Sequence, residues 1–437
     1  MTDYLTLGII GCILLIVLIF SSVHIGFALV LVGFVGVALM RGMDGAFGLF
    51  RTVAYFNTAN YSLTPLPLFV LMSGLCTLAG ISGGLFDSMA KWLSGLRAPL
   101  GVAVAAASAV FGMLTGTSMV VAAMFTQLAL PEMLKAKYNR QFSAGIIAGS
   151  SILGMLIPPS LFAILYGILA NESIGKLFVA GIVPGLVTLV VFSIYIVIAA
   201  TRNPALAPPS LVKYTMKDRV ASLKGIWPML LVAIIMLGGI FSGIFTVTEG
   251  ASVGVIGAII VLLAIKKLTW KVFMQAAMDT VKINCMIAIL LVGVTMFSRF
   301  IAMSGVTQAF ADWLVATGLP PKVVLLLFML LYLVLGCFLD VIGMLAVTVP
   351  ILLPLQVTFG WDPIYLGIVV IYSCLVGTLT PPVGLTLFAT KGAAVGVVEL
   401  PFNEIVKGVI PFVAMMAGIA LLLWWIEPLA IGFAKYM

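Results

Sequence analysis

The sequence predicts an all-α, polytopic membrane protein made of inverted-topology repeats, with two re-entrant helical hairpins and two broken helices. Three observations carry this prediction. Apolar residues make up 63% of the 437-residue chain and charged residues only 8%, whereas a soluble domain carries about 25% charged residues. Apolar stretches long enough to span a bilayer recur along the whole chain. A Gly-x-Leu-x-Pro-Pro stretch occurs twice, at Gly154–Pro159 and Gly377–Pro382, at an offset of 223 residues. Each copy lies inside a long apolar segment. Two successive prolines remove two backbone donors and disfavour helix in the residue before them. Each segment is therefore expected to be two half-helices with an unwound middle, whose freed carbonyls need protein, water or an ion as partner. Paired broken helices in the two halves of a membrane protein point to a transport site.

In chain order, spanning segments are expected at about 4–22, 24–40, 62–81, 141–170 and 176–200, and again at about 226–245, 247–265, 280–302, 363–392 and 405–426. The first begins almost at once, with no basic leader and no small-residue cleavage site, and reads as a retained helix. Between the spans lie two regions too long for one helix, about 98–131 and 321–356. Their centres are interrupted at Gly112–Ser118 and at Gly336–Gly343. Both read as hairpins that enter the membrane and turn back, with glycine supplying the turn. Leu85–Leu96 and Thr307–Val315 read as surface helices, with Trp92 and Trp313 at the interface. The repeat extends to Trp92 and Trp313, Gly112 and Gly336, Pro131 and Pro354 as hairpin ends, and Pro184 and Pro411, at offsets of 221, 224, 223 and 227. The expected organisation is a first repeat over 1–200, a linker over 201–225 and a second repeat over 226–437. The linker holds Pro204, Pro208 and Pro209 and reads as a hinge.

The formal net charge is +8. In a membrane chain this bears on orientation and does not point to nucleic acid. Lys135, Lys137 and Arg140 lie in one loop, Arg202, Lys213, Lys217, Arg219 and Lys224 in the linker, and Lys266, Lys267 and Lys271 in a third. The positive-inside rule makes these loops cytoplasmic. Threading from them puts Asn171–Ser173 outside and both termini in the periplasm. The first hairpin then enters from inside and the second from outside. Arg41 and Arg51 fall outside, against the trend.

Asp340 is the one carboxylate deep in an apolar run, and an ionisable group at that depth is a functional-site candidate. Thr115, Thr117 and Ser118 occupy the mirrored place in the first hairpin. Half-helix C-terminal carbonyls can hold a hard cation, and half-helix N-termini can receive an anion. His24 reads as a helix-end residue, Arg299 as a side chain reaching for the interface, and Glu249 as structural. The five cysteines read as small buried hydrophobes without metal spacing. There is no P-loop, no nucleophile elbow and no metal-binding motif. The chain reads as a non-enzyme without a resident cofactor, driven by an ion gradient.

The run Gly149–Ser160, with Tyr166-Gly167, Ser173–Gly185, Gly243–Glu249 and the Phe338-Leu339-Asp340 hairpin, resembles the large membrane subunit of tripartite ATP-independent periplasmic (TRAP) transporters, over essentially the whole chain. The resemblance implies a sodium-driven elevator transporter of the inner membrane that imports a small organic anion, a carboxylate or sulfonate. It also implies a small four-helix membrane subunit as a separate chain and a periplasmic substrate-binding protein. Na⁺ would be the coupling ion. One sodium site would use Thr115, Thr117, Gly154, Ile157 and Pro159, the other Gly336, Asp340, Gly377, Thr380 and Pro382. Substrate would lie between the hairpin tips, near Ser118, Thr378, Pro158 and Pro381. Two alternatives stand beside this reading. One is a self-sufficient sodium–dicarboxylate symporter or proton antiporter. The other is a structural membrane subunit without an ion site.

Overall fold

The apolar segments fold into helices because, in a bilayer, a backbone can satisfy its polar groups only within itself. The computed structural model describes residues 2–21, 23–78, 82–209, 214–223, 226–432 and 434, and these hold helices and no strand. The first half contains α1 (Thr2–Phe20), α2 (Ile25–Thr58), α3 (Pro65–Leu78), α4 (Ser82–Trp92), α5 (Pro99–Thr115), α6 (Ser118–Lys135), α7 (Arg140–Ser150), α8 (Leu161–Ala170) and α9 (Ile174–Arg202). Then come α10 (Met216–Leu223), α11 (Trp227–Phe241), α12 (Val247–Ala264), α13 (Trp270–Ser304), α14 (Val306–Ala316), α15 (Pro321–Leu335) and α16 (Val341–Phe359). The chain ends with α17 (Pro363–Leu379), α18 (Leu385–Ala394), α19 (Phe402–Trp425) and α20 (Glu427–Ile431). Seven described helices are long and apolar enough to cross a membrane.

The outward faces are as apolar as the core. On α9, Leu186, Val190, Ile194 and Ile198 are exposed at four-residue spacing, while Phe192 and Ile196 are buried. A helix apolar all round belongs in lipid. Leu15, Leu29, Val32, Val294, Phe297 and Phe300 of α1, α2 and α13 form a hydrophobic cluster of their own. The hairpins and broken helices share the larger cluster. The halves interlock at the centre: α6 packs on α18, α8 on α16, and α7 on α19. In the last crossing a β-carbon placed on Gly145 would come 2.8 Å from Gly408 Cα, so two glycines set how closely these helices approach.

Several boundaries differ from the sequence reading. The second segment, expected to end near residue 40, continues as α2 to Thr58, with a break at Gly42 (φ 78, ψ 170). The continuation carries Arg41, Asp44 and Arg51, which ended the apolar window, but it buries Ala46 and Val53 at helical spacing. The same holds at the start of α13, which begins at Trp270 and buries Ala276 ahead of the expected 280–302. Pro131 and Pro354 do not end the hairpins. They lie inside α6 and α16, which run on to Lys135 and Phe359. A proline costs one helical bond and kinks the helix without necessarily ending it. The linker is more than a hinge. Its α10 docks on α4, with Trp92 Nε1 donating to the Arg219 carbonyl at 3.1 Å and the Ser88 and Ser222 hydroxyls 3.1 Å apart. Lys213 and Lys224 of that linker lie outside the described residues. Cys285 is exposed and Cys12 half-buried, so only Cys76, Cys337 and Cys374 are the buried hydrophobes expected of all five.

Candidate functional site

Each half builds the same local arrangement. A hairpin tip presents a glycine to a glycine at the break of the neighbouring helix. In the first half α5 crosses the break at Gly112 and Gly154, and a β-carbon on Gly112 would lie 2.7 Å from Gly154 Cα. In the second half Gly336 meets Gly377, where a β-carbon on Gly336 would lie 2.8 Å from Thr378 N and one on Gly377 would lie 3.0 Å from Gly336 Cα. Real β-carbons do not approach so closely, so both crossings require glycine. The two pairs sit at offsets of 224 and 223. Gly336 and Gly377 join from the expected second sodium set, and Gly154 from the first.

The turns themselves differ. Gly116 (φ 66) makes the first hairpin turn in the left-handed region, as the sequence suggests. The second turn uses no left-handed glycine: Gly336 has φ −66, and the chain turns through residues 336–340 into an extended Asp340 (φ −76, ψ 168). Gly336 is there for close approach.

Both breaks expose backbone. After α7 the chain makes one short 3₁₀ turn at Leu153–Met155 and then leaves helical geometry until α8. The carbonyls of Ile157, Pro158 and Pro159 accept no hydrogen bond from any described residue. Ser160 restarts the helix: its hydroxyl accepts from Ala163 N at 3.3 Å and donates back to the Met155 carbonyl. α17 ends at Thr380, whose hydroxyl turns back to the Val376 carbonyl at 2.7 Å. The Cys337 thiol of the hairpin faces the Thr380 and Pro381 carbonyls at 3.9 and 4.0 Å. The Pro158–Pro159 and Pro381–Pro382 bonds are both cis.

The first tip holds an orphaned hydroxyl and, beside it in the chain, a small cavity. The Thr117 hydroxyl is buried and has no partner among the described residues, and such an orphan at membrane depth needs a ligand or water. Thr117 precedes α6 as its N-cap but makes no side-chain cap. Thr115 and Pro159 line a cavity of about 20 Å³ together with Phe69, Met72 and Ser73 of α3. That volume suits one water-sized occupant. Thr115 is otherwise held only by a 3.4 Å bond to the Gly112 carbonyl. Ser73 is a polar lining group that sequence reasoning missed, because it lies in another segment with no motif around it.

Asp340 sits differently. Its Oδ1 caps α16, accepting from Gly343 N at 2.9 Å. It lines a cavity of about 400 Å³ together with His24, Met286, Leu290 and Phe338. His24 itself caps α2, accepting from Gly26 N at 3.3 Å. The structure thus places Asp340 toward α2 and α13, and its carboxylate is not hydrogen-bonded to Gly377, Thr380 or Pro382. At an offset of 223 the α13 residues of this cavity, Met286 and Leu290, correspond to Leu63 and Pro67, one to two turns before the α3 residues Phe69, Met72 and Ser73 that line the first cavity. The cavity beside the first tip holds about 20 Å³ and the one beside the second about 400 Å³.

The expected substrate residues surround the breaks. Ser118 is the half-buried first residue of α6, Pro158 is buried, Pro381 is half-buried and Pro382 is exposed. Thr378 is buried, with its hydroxyl on the Leu375 carbonyl at 2.9 Å and its carbonyl receiving Thr386 at 3.3 Å. Two buried polar pairs had no signal in the sequence. Tyr332 and Thr348 join the two arms of the second hairpin at 2.6 Å, and Tyr372 and Thr188 join α17 to α9 at 2.9 Å. Glu249 completes a capping box with Thr246 and is structural.

The known proteins that this chain resembles are membrane transport proteins. The family model described as the DctM component of the tripartite ATP-independent periplasmic transporter matches residues 12–429. The sialic acid TRAP transporter large permease protein SiaM of Vibrio cholerae is 32% identical over 90% of this chain and 90% of its own length. The C4-dicarboxylate large permease protein DctM of Pseudomonas aeruginosa is 29% identical over 88% of this chain and 89% of its own. Among solved structures, the YdaH transporter of Alcanivorax borkumensis superposes with a TM-score of 0.64 at 16% identity, covering 90% of each chain, a likeness of fold alone.

Proposed function

The chain belongs to the DctM family of TRAP transporter components, a transporter subunit and not an enzyme, and from that premise we propose that it carries a small organic anion into the cell together with sodium. The anion is a carboxylate or sulfonate. The duplicated glycine crossing at Gly112/Gly154 and Gly336/Gly377 carries the reading. Each crossing presses a hairpin tip against the helical turn that precedes a break, and the Thr117 hydroxyl at the first tip is buried without a partner among the described residues. Oxygen ligands in a dry site suit a hard cation. In this proposal Thr115, Thr117, Gly154, Ile157 and Pro159 hold one Na⁺. Gly336, Asp340, Gly377, Thr380 and Pro382 hold the other, with Asp340 turning inward when the ion binds. Substrate sits between the tips, near Ser118, Pro158, Thr378 and Pro381.

The unequal cavities beside the two tips support an elevator motion. A block of hairpins and broken helices that slides against α2, α3 and α13 closes one cavity as it opens the other. Family membership implies a small membrane subunit and a periplasmic binding protein as partners. The test is uptake into liposomes by the chain with and without both. Uptake is expected only with all three parts and a sodium gradient. Robust uptake by this chain alone would instead favour the self-sufficient symporter, and uptake indifferent to sodium would end the proposal.

Orientation is tested separately. The basic loops are proposed to be cytoplasmic and both termini periplasmic, although Lys435 near the C-terminus lies outside the described residues. Asn171 and Lys137 are both exposed, in loops on opposite sides of that threading. In a background without native cysteines, Asn171→Cys should react with a membrane-impermeant thiol reagent in cells whose inner membrane is intact. Lys137→Cys should react only after that membrane is broken. The reverse pattern would invert the threading.

A further inference from the structure

α2 carries a second polar recess, lined by no residue of either hairpin or either broken helix. The first limb of α2 ends at Arg41, and Gly42 turns the second limb, 43–58, in a new direction. A β-carbon at Gly42 would meet nothing, so this glycine serves the backbone conformation and not a close contact. Between the two limbs and the far end of α13 lies a cavity of about 410 Å³. Leu49, Phe56 and Met303 form an apolar wall. Arg41 comes from one limb and Arg299 from α13. Asn57 and Thr295 lie beside them and are already occupied: Thr295 donates to Asn57 Oδ1 at 3.2 Å, and Asn57 Nδ2 donates to the Val53 carbonyl at 2.9 Å. Among the described residues no carboxylate lines the cavity. Among the described residues neither guanidinium takes part in an ion pair, and the ion pairs that do occur join lysines to Asp87, Glu132 and Asp279.

We propose that this recess binds the phosphate of an anionic phospholipid. Arg41 directly follows the apolar run 25–40 of α2, so the recess lies where a membrane helix meets the headgroup layer. Two unpaired guanidinium groups at one cavity ask for a planar or tetrahedral oxyanion, which their donor forks can grip bidentately. The apolar wall between them and the lipid gives an acyl chain a path out, which a soluble anion would not need. The volume takes a headgroup, within the range of ligand pockets. Charge also selects among lipids. A phosphatidylglycerol headgroup brings one net negative charge, whereas a phosphatidylcholine headgroup brings a choline cation up against two arginines. The bound phosphate would tie α2 to α13 across the Gly42 break and hold the angle between the two limbs.

The test is native mass spectrometry of the full-length chain in detergent, titrated with phosphatidylglycerol or with phosphatidylcholine. Phosphatidylglycerol should be retained about tenfold better, roughly the discrimination of one charge-assisted contact. The Arg41→Gln/Arg299→Gln pair should bind both lipids equally. Arg41→Lys/Arg299→Lys keeps the charges without the forks and should keep the preference at weaker affinity. Equal retention of the two lipids by the wild-type chain would overturn the proposal. So would a preference that survives the glutamine pair. Displacement of phosphatidylglycerol by millimolar inorganic phosphate would mark a free-anion site instead and overturn the lipid assignment. The wild-type comparison and the phosphate competition decide by themselves should the glutamine pair not fold.

Discussion

Gly154→Ala is expected to remove sodium-coupled uptake, and Gly336→Ala to do the same from the other half. At Gly154 the added methyl would overlap Gly112 Cα and the following peptide, and at Gly336 it would overlap the Gly377 backbone. These neighbours are backbone, not the flexible end of a side chain, so the hairpin tip must move away from the break. Overpacking of this kind costs about 1–3 kcal/mol. If that cost falls on the bound geometry, ion affinity drops by about tenfold to a hundredfold. Control substitutions separate the crossing from helix propensity. Gly238 in α11 and Gly418 in α19 have nothing within 4 Å of where a β-carbon would stand. Gly238→Ala and Gly418→Ala should stabilise their helices by up to about 1 kcal/mol and leave uptake intact. The measurement is sodium-dependent uptake alongside melting temperature for all four variants. Native uptake by Gly154→Ala or Gly336→Ala would show that the crossings only pack the core.

The duplicated motif was legible because proline and glycine act through the backbone, and backbone consequences can be read from sequence. Gly-x-Leu-x-Pro-Pro announced two unwound helices, and both breaks lie at the expected residues. Hydropathy located the spans but misjudged their ends wherever a helix turned amphipathic. α2 past Gly42 and the start of α13 hide one apolar stripe among Arg51, Lys271 and Asp279, which a window average treats as the end of a span. Contacts between distant segments left no local trace. Nothing around Ser73 marks it as a neighbour of Thr115, and nothing around Tyr372 points to Thr188. The direction of Asp340 was equally hidden. Its depth follows from the apolar run, but which side of the hairpin it faces depends on a turn built without a left-handed glycine.

That direction makes Asp340→Asn the most discriminating substitution in the second half. Asp340 has an observed structural role, capping α16 through Gly343 N, and a proposed one as a charged sodium ligand. Asparagine caps a helix about as well as aspartate, so Asp340→Asn keeps the cap and removes only the charge. Asp340→Ala removes both and should cost about 1 kcal/mol in stability through the lost cap. If the carboxylate only caps, Asp340→Asn should behave as wild type in melting and in transport, and Asp340→Ala should lose stability alone. If it supports sodium, both variants should lose the stimulation of uptake by sodium, and Asp340→Asn should do so at near-native melting temperature. A half-buried carboxylate at membrane depth is costly without a compensating charge, so Asp340→Asn should melt no lower than wild type in sodium-free buffer. Adding sodium should then raise the melting temperature of the wild-type chain more than that of the variant, since a ligand stabilises the state that binds it. An equal rise in both, with an unchanged sodium response of uptake, would confine Asp340 to the helix cap and move the second ion site to the carbonyls at Gly377 and Thr380.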